Sequence, residues 1–216
     1  MSESKPVSAV VIRRLPRYYR YLDELLSAGI TRISSKELSN KMRVTASQIR
    51  QDLNCFGGFG QQGYGYNVSH LHKEIGQILG LNGGRTMVII GIGNLGKAIA
   101  GYNSFTKRGF LLKGLFDSNP SVIGTTIHGL TVQDAAELDD FVRKHRIDIG
   151  VLTIPKATVQ SMADRLIAAG IKGIWNFSHM EISAPDDVAL ENVHMSDSLM
   201  TLSCKIGRLH ETNGQS

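Results

Sequence analysis

The stretch TMVIIGIGNLG, residues 86–96, decides how the rest of the chain is read. Met87, Val88, Ile89 and Ile90 form an apolar run of strand length. Gly91, Gly93 and Gly96 follow in the spacing G-x-G-x-x-G. In that motif the first glycine makes a tight turn and the second lets a pyrophosphate approach the backbone. The third lets a new helix pack on the strand. A helix opening at Asn94 turns free N–H groups toward such a phosphate pair, so Gly91, Ile92, Gly93, Asn94, Leu95 and Gly96 are the predicted pyrophosphate loop. The next apolar strand, LLKGLFD, ends at Asp117, 21 residues beyond Gly96. An acid there holds a ribose diol and disfavours a 2′-phosphate, which predicts NADH or NAD+ rather than the phosphorylated dinucleotides.

Outward from the motif, residues 85–180 alternate short apolar runs with helical patterns, the signature of a parallel sheet with crossovers. Strands are predicted at 87–90, 111–116, 149–154 and 174–177, and helices at 94–106, 132–145 and 157–168. Asp117, Pro155, Phe177 and Ser178 fall at the carboxyl edge of that sheet, where such folds bind ligands. The predicted class is α/β: an N-terminal winged helix-turn-helix domain over 1–80, a Rossmann-like domain over 85–195 and a C-terminal helix over 196–210.

The first module differs in charge. Residues 1–80 hold 11 Lys+Arg against 6 Asp+Glu and residues 81–216 hold 13 of each, so the whole excess of +5 lies in the first part. A basic module on a neutral one fits a polyanion-binding piece joined to a small-molecule piece. Residues 8–14 read as a short helix. Pro16 suits the first turn of another, with Tyr18, Leu22, Leu25 and Leu26 at helical spacing and Gly29 ending it. Arg13, Arg14, Arg17 and Arg20 decorate this segment, a solvated face that also suits phosphates. Ser34 and Glu37 form a capping box for a helix to about Lys41. After a turn at 42–44 containing Arg43, Thr45 and Gln48 form another and open a helix through Asn54. Two short helices so joined make a helix-turn-helix.

On a helical wheel Ala46, Ile49 and Leu53 share one face of the third helix. Ser47, Gln51 and Asn54 lie opposite, flanked by Gln48 and Arg50. An ordinary solvent face carries more Lys and Glu, whereas these residue types hydrogen-bond base edges in a major groove. FGGFGQQGYGY, residues 56–66, has five glycines in eleven positions, interleaved with Phe59, Tyr64 and Tyr66, and reads as a tight hairpin. A helix-turn-helix with that hairpin is a winged helix. Gly60 allows backbone approach to phosphates, Gln61, Gln62 or Tyr64 reaches a neighbouring groove, and the inner aromatics close the core. Asn67 caps a helix carrying Leu71, Ile75, Ile78 and Leu79, and residues 80–84 are the predicted linker.

Other classes are excluded. A composition of 42% hydrophobic and 20% charged residues is that of a soluble globular protein. No apolar run approaches the roughly 20 residues of a bilayer span, and the first ten residues lack a signal peptide's apolar core. Cys55 and Cys204 stand far apart without a C-x-x-C, which predicts a reducing cytoplasm. The histidines show no zinc spacing; His70 and His72 diverge on a helix and read as surface residues, and no metal is predicted. Residues 197–210, with Leu199, Met200, Leu202, Ile206 and Leu209, form an amphipathic helix that packs on its own domain or dimerises. Residues 211–216 are expected to be disordered.

Five motifs carry a resemblance: RRLPRYYRYL at 13–22, RISSKELS at 32–39, TASQIRQDLNCFG at 45–57, GQQGYGYNV at 60–68 and GIGNLGKAI at 91–99. By these the chain resembles the Rex family of bacterial redox-sensing transcriptional repressors over nearly its full length. The resemblance implies a homodimer with an exchanged terminal helix. It also implies a double-stranded operator of two inverted half-sites, bound when NADH is scarce and released when NADH rises. It places the glycine loop on the pyrophosphate, Asp117 on the adenosine ribose and Tyr102 near the nicotinamide. It pairs Arg20 with an aspartate of an N-V-D motif, which here reads Asn192, Val193, His194 and lacks the acid. The two nucleotides differ only at the nicotinamide, so discrimination is expected around Tyr102, Phe177 and Ser178. Two rivals share the fold. One is an NAD-dependent dehydrogenase, for which His128, His145 and His179 form no constellation with an acid and a substrate-clamping Arg. The other is a domain for coenzyme A or ADP.

Overall fold

The structure, a computed structural model, describes residues 7–57, 60–61 and 65–213. The chain divides into two compact units, Met1–Gly83 and Gly84–Ser216.

The first unit opens with α1 (Ala9–Ser27), one continuous helix capped by Ser8. The break expected at Pro16 does not occur. Pro16 lies on the exposed side, so the Ile12 carbonyl it leaves without a helical partner is next to solvent. Val11, Leu15, Tyr18, Leu22 and Leu25 meanwhile bury one unbroken stripe. Each such side chain contributes about 1.5–3 kcal/mol, and together they outweigh the ~3 kcal/mol an interior proline costs. β1 (Arg32–Ile33) leads to α2 (Ser35–Met42), which starts on a complete capping box: Ser34 Oγ accepts from the Glu37 N–H at 3.1 Å and Glu37 Oε2 accepts from the Ser34 N–H at 2.8 Å. Arg43 closes it in the left-handed region at φ 52°. The box expected for α3 (Ala46–Asn54) is only half formed. Thr45 accepts from the Gln48 N–H at 3.1 Å, but the Gln48 side chain turns to Asp52 instead. β2 (Gly60–Gln61), β3 (Gly65–Asn67) and α4 (Val68–Ile78) complete the unit, with the antiparallel order β1-β3-β2. Gly65 has φ +70°, and a Cβ there would stand 2.6 Å from the Ile33 carbonyl oxygen, so β3 crosses β1 only with glycine. Phe59, Gln62 and Tyr64 of the expected hairpin lie outside the described residues.

His72 is not the surface residue the sequence predicts. Its ring stacks on Tyr19 with centroids 4.1 Å apart and reaches Asp23 at 3.1 Å, half-buried where α4 packs on α1.

The second unit runs β4 (Arg85–Ile90), α5 (Asn94–Ala100), α6 (Ser104–Lys107), β5 (Phe110–Asp117), β6 (Thr126–Ile127), β7 (Leu130–Asp134), α7 (Leu138–His145), β8 (Ile149–Leu152), α8 (Lys156–Ala168), β9 (Gly173–Asn176), β10 (Ala189–Asn192) and α9 (Met195–Asn213). The sheet order is β10-β9-β8-β4-β5-β7-β6, parallel throughout except for β6 on β7. Without the edge hairpin strand β6 this is the doubly wound dinucleotide-binding order. Its reversal lies between β4 and β8, so the crevice at their carboxyl ends is where a ligand belongs.

Several expected boundaries move. The helix predicted at 94–106 breaks into α5 and α6 at Gly101, Tyr102 and Asn103. Gly101 costs a helix about 1 kcal/mol relative to Ala, and the His128 imidazole Nε2 would be 2.6 Å from any Cβ placed there. The helix predicted at 132–145 begins only at Leu138. Val132 to Asp134 pair with β5 instead, Leu130 and Thr131 pair with β6, and a 3₁₀ turn, Ala135–Glu137, intervenes. α9 extends beyond the predicted 197–210 and takes in residues 211–213; 214–216 lie outside the described residues. Among its described side chains the large apolar ones are not buried on its own chain. Met195, Leu199, Met200, Leu202 and Ile206 remain 47–68% exposed. Among the described residues no helix is long and apolar enough to cross a membrane, and no cluster of His, Cys, Asp and Glu could hold a metal ion.

Candidate dinucleotide crevice and helix-turn-helix face

The three motif glycines play different parts. Gly91 turns at φ +94°, donates its N–H to the Phe116 carbonyl at 2.8 Å, and has no room for a Cβ, which would meet Thr153 O and Ile154 Cγ2 at 2.7 Å. At Gly96 a Cβ would run into the Gly91 carbonyl oxygen. Thr153 Oγ1 donates to that same oxygen at 2.6 Å, tying the loop to the end of β8. Around Gly93, by contrast, a Cβ would meet nothing within 4 Å. Two glycines are therefore needed to fold the loop, and the third keeps its outer face bare. Gly93 offers α5 no side-chain cap, so the first N–H groups of that helix face outward without a side-chain acceptor.

Asp117 braces the loop from the neighbouring strand. Its Oδ2 accepts the buried Ile92 N–H at 2.6 Å and its Oδ1 accepts the Asn119 N–H at 2.8 Å. A carboxylate has about four lone-pair sites, so this half-exposed side chain keeps capacity for a diol.

Two clefts meet at the end of β8. The larger, 670 Å³, runs past Gly91, Gly93, Asp117, Asp134 and Ala135 to Thr158, Met162 and Arg165 of α8. Arg165 is held there by the Ala135 carbonyl and Asp139, each at 3.0 Å. The smaller, 290 Å³, lies between Leu95, Lys156, Phe177, Ser178 and His179. Both share Thr153, Ile154 and Pro155, so one elongated ligand can occupy the two across the sheet edge. The acids Asp117 and Asp134 line only the larger cleft; no Asp or Glu lines the smaller.

Of the residues predicted around a nicotinamide, Phe177 and Ser178 come together in the smaller cleft, beside the sheet-edge residue Pro155. The Ser178 side chain is spent on its own loop, its hydroxyl donating to the Met180 carbonyl at 3.1 Å. Tyr102 lines neither cleft. It sits 57% exposed between α5 and α6 and starts an aromatic row, Tyr102–Phe105–Trp175–Phe177, with centroid spacings of 4.8, 5.6 and 4.6 Å. The far end of that row, Phe177, lines the smaller cleft.

In the first unit α3 turns Ser47, Arg50, Gln51 and Asn54 to solvent and buries Ile49 and Leu53. Thr45 caps it, Arg43 is exposed in the preceding turn, and Arg50 Nη1 donates to Ser35 Oγ at 3.2 Å. The sequence reading missed Asp52. It is fully buried and receives Arg14 through two bonds of 2.6 Å, the Tyr18 hydroxyl at 2.8 Å and Gln48 Nε2 at 2.8 Å. Burial by itself raises the pKa of such a carboxyl. The hydrogen bonds from Arg14, Tyr18 and Gln48 and the charge of Arg14 outweigh it and hold Asp52 below the ordinary carboxylate value. Burial, then the bond to Asp52, pushes the Tyr18 hydroxyl upward. Arg14 and Gln48, predicted to face DNA, thus point inward and lock α1 to α3. An acid three residues after Ile49, on the apolar side of the helix, was the available signal. Arg13 and Arg17 are exposed; Arg17, Arg20 and Lys41 line a cleft of 300 Å³ beside Tyr21 and Glu24. Gly60 and Gln61 lie in β2, and Tyr64 is outside the described residues.

A helix-turn-helix unit joined to a doubly wound sheet with a bare glycine loop defines a class: DNA-reading proteins that carry their own nucleotide-binding domain. The comparisons narrow it. Residues 82–180 match the family model described as "CoA binding domain", and residues 6–54 the one described as "Putative DNA-binding protein N-terminus". The chain is 59% identical over 206 residues to the redox-sensing transcriptional repressor Rex of Thermoanaerobacter pseudethanolicus, covering 95% of this chain and 92% of that one. It is 54% identical over 202 residues to Rex of Clostridium perfringens, covering 94% and 95%. Among solved structures it is similar to RSP in complex with β-NAD+ and operator DNA (TM-score 0.90, 56% identity, 98% and 97% of the two chains). It is equally similar to RSP in complex with β-NADH (TM-score 0.91, 53% identity, 98% and 100%). The chain belongs to the Rex family of redox-sensing transcriptional repressors. Its relatives are named as repressors, so the dehydrogenase reading falls.

Proposed function

We propose that the chain is a homodimeric cytoplasmic repressor that grips an inverted-repeat operator when NADH is scarce and lets go when NADH binds. The observation that carries this reading is the division of labour among the glycines. Gly91 and Gly96 are sterically required by the fold, whereas Gly93 is bare for no reason internal to the fold, as a pyrophosphate contact demands. Adenosine takes the larger cleft, with its ribose diol on the spare lone pairs of Asp117, and the nicotinamide takes the smaller one.

On the DNA side, the antiparallel pair β2–β3 supports a winged-helix reading, and Gly60 and Gln61 approach the duplex there. Ser47, Arg50, Gln51 and Asn54 read the major groove, with Thr45 at the helix start. Arg13, Arg17 and Arg43 neutralise phosphates. Arg14 and Gln48 contribute through Asp52, by fixing the angle of the recognition helix. The five exposed apolar residues of α9 support its exchange onto a second copy of the chain.

The test is an operator gel shift repeated with NADH, NAD+, NADPH and coenzyme A. NADH is expected to release the DNA. NADPH and coenzyme A are expected to fail, because their ribose phosphates meet Asp117. Gly93→Ala folds, since its Cβ has open space, but stays on DNA at NADH levels that release the natural protein. Equal operator retention with saturating NADH and with none would end the proposal.

A further inference from the structure

The smaller cleft has a one-sided electrostatic character: its lining mixes apolar and polar residues with one cation and no acid. Lys156 is the first residue of α8 and stands exposed on the cleft wall, next to the shared Pro155. Among the described residues no ion pair involves it. The N-cap of this 13-residue helix is Pro155, which has no capping side chain, so the first N–H groups of α8 add their positive potential. His179 is the other titratable neighbour, and no carboxylate lines the cleft. Among the residues that line this space, Lys156 carries the one fixed charge, and its sign is positive.

We propose that Lys156 is a specificity-determining residue that disfavours NAD+ by repelling the positive charge of its nicotinamide ring. The inference rests on the nicotinamide occupying this cleft. NADH and NAD+ share the adenosine and the pyrophosphate and differ in one unit of ring charge. A fixed cation beside the ring therefore separates them without any contact unique to NADH. This differs from discrimination by an apolar pocket, which acts through desolvation of the ring. Repulsion at a half-open site has about the strength of an exposed ion pair of opposite sign, so about threefold in affinity. It weakens as salt shortens the screening length to ~8 Å at physiological ionic strength.

The experiment titrates the full chain, natural and as Lys156→Met, Lys156→Glu and Lys156→Arg, with NADH, NAD+ and ADP-ribose by calorimetry at low and physiological salt. Lys156→Met is expected to raise the affinity for NAD+ relative to NADH about threefold, and Lys156→Glu to raise it further. Lys156→Arg keeps the natural ratio, and the differences shrink at higher salt. ADP-ribose lacks the ring and separates a ring effect from a phosphate contact. Parallel shifts for all three ligands would mean that Lys156 holds the pyrophosphate, and would overturn the proposal. So would a ratio that Lys156→Glu leaves in place. Natural protein that binds ADP-ribose but shows no preference for NADH would remove the sensor reading itself, before any variant is compared.

Discussion

Asp52 and Asp117 each sit at the working edge of their unit, and each accepts hydrogen bonds from groups that shape that edge. Asp52 is sealed in and receives four bonds from three side chains. Asp117 is half-exposed and receives two bonds, both from backbone. A buried carboxylate with every site taken is a fixed part, and its function is to hold α1 and α3 in one geometry. A carboxylate braced by two amides, with lone pairs left over, is pre-aimed at something arriving from outside. Chemistry alone does not separate structural acids from binding acids; the unspent capacity of each does.

The comparison is broken most sharply by Asp52→Ala. It strands the Arg14 guanidinium and the buried Tyr18 hydroxyl together, and loss of one partner of such a pair typically costs ~3–5 kcal/mol. The first unit should unfold at markedly lower denaturant, read by hydrogen exchange in α1 and α3, while the second unit still binds NADH. Asp117→Ala should do the reverse. It loses an acceptor for the Ile92 N–H, about 1 kcal/mol of stability, but weakens NADH and NAD+ alike by roughly tenfold. Calorimetry checks this, and a loss confined to one nucleotide would place Asp117 at the ring end. The smallest effect is in pH. The carboxyl of Asp52 is depressed when folded, so its contribution is complete at neutral pH and fades as pH falls below about 4. The Tyr18 hydroxyl is raised, so its contribution holds below about pH 10 and fades above it. A stability profile of the first unit should drop at both ends, and Asp52→Asn should flatten the acid limb.

The glycine spacing, the alternation of apolar runs and the capping residues Ser34, Thr45 and Asn67 made the architecture readable because each obeys a local rule. What escaped was set by distant partners. Val132, Ala135, Leu138 and Val142 fall at near-helical intervals, so the pattern from Val132 on predicts helix; the strand identity of Val132–Asp134 comes from the open edge of β5. The α5–α6 break needs the His128 ring above Gly101, 27 positions away. Asp52 looks like a misplaced charge until Arg14, 38 residues earlier, is brought beside it. In the candidate crevice, the placement of Asp117, Pro155 and Phe177 at strand ends is legible from the rule that ligands lie there. Lys156 follows the same rule but looks like any exposed lysine until the absence of acids around its cleft is seen.

The chain has one tryptophan, Trp175, and the aromatic row places it behind Phe177, the ring that lines the smaller cleft. Indole emission overlaps the near-ultraviolet absorption of a dihydronicotinamide and not that of the oxidised ring. A reduced nucleotide seated there would drain Trp175's excited state by resonance transfer and glow in its place. The molecule thus carries an unlabelled optical gauge of its own occupancy, specific for the redox form it has to recognise.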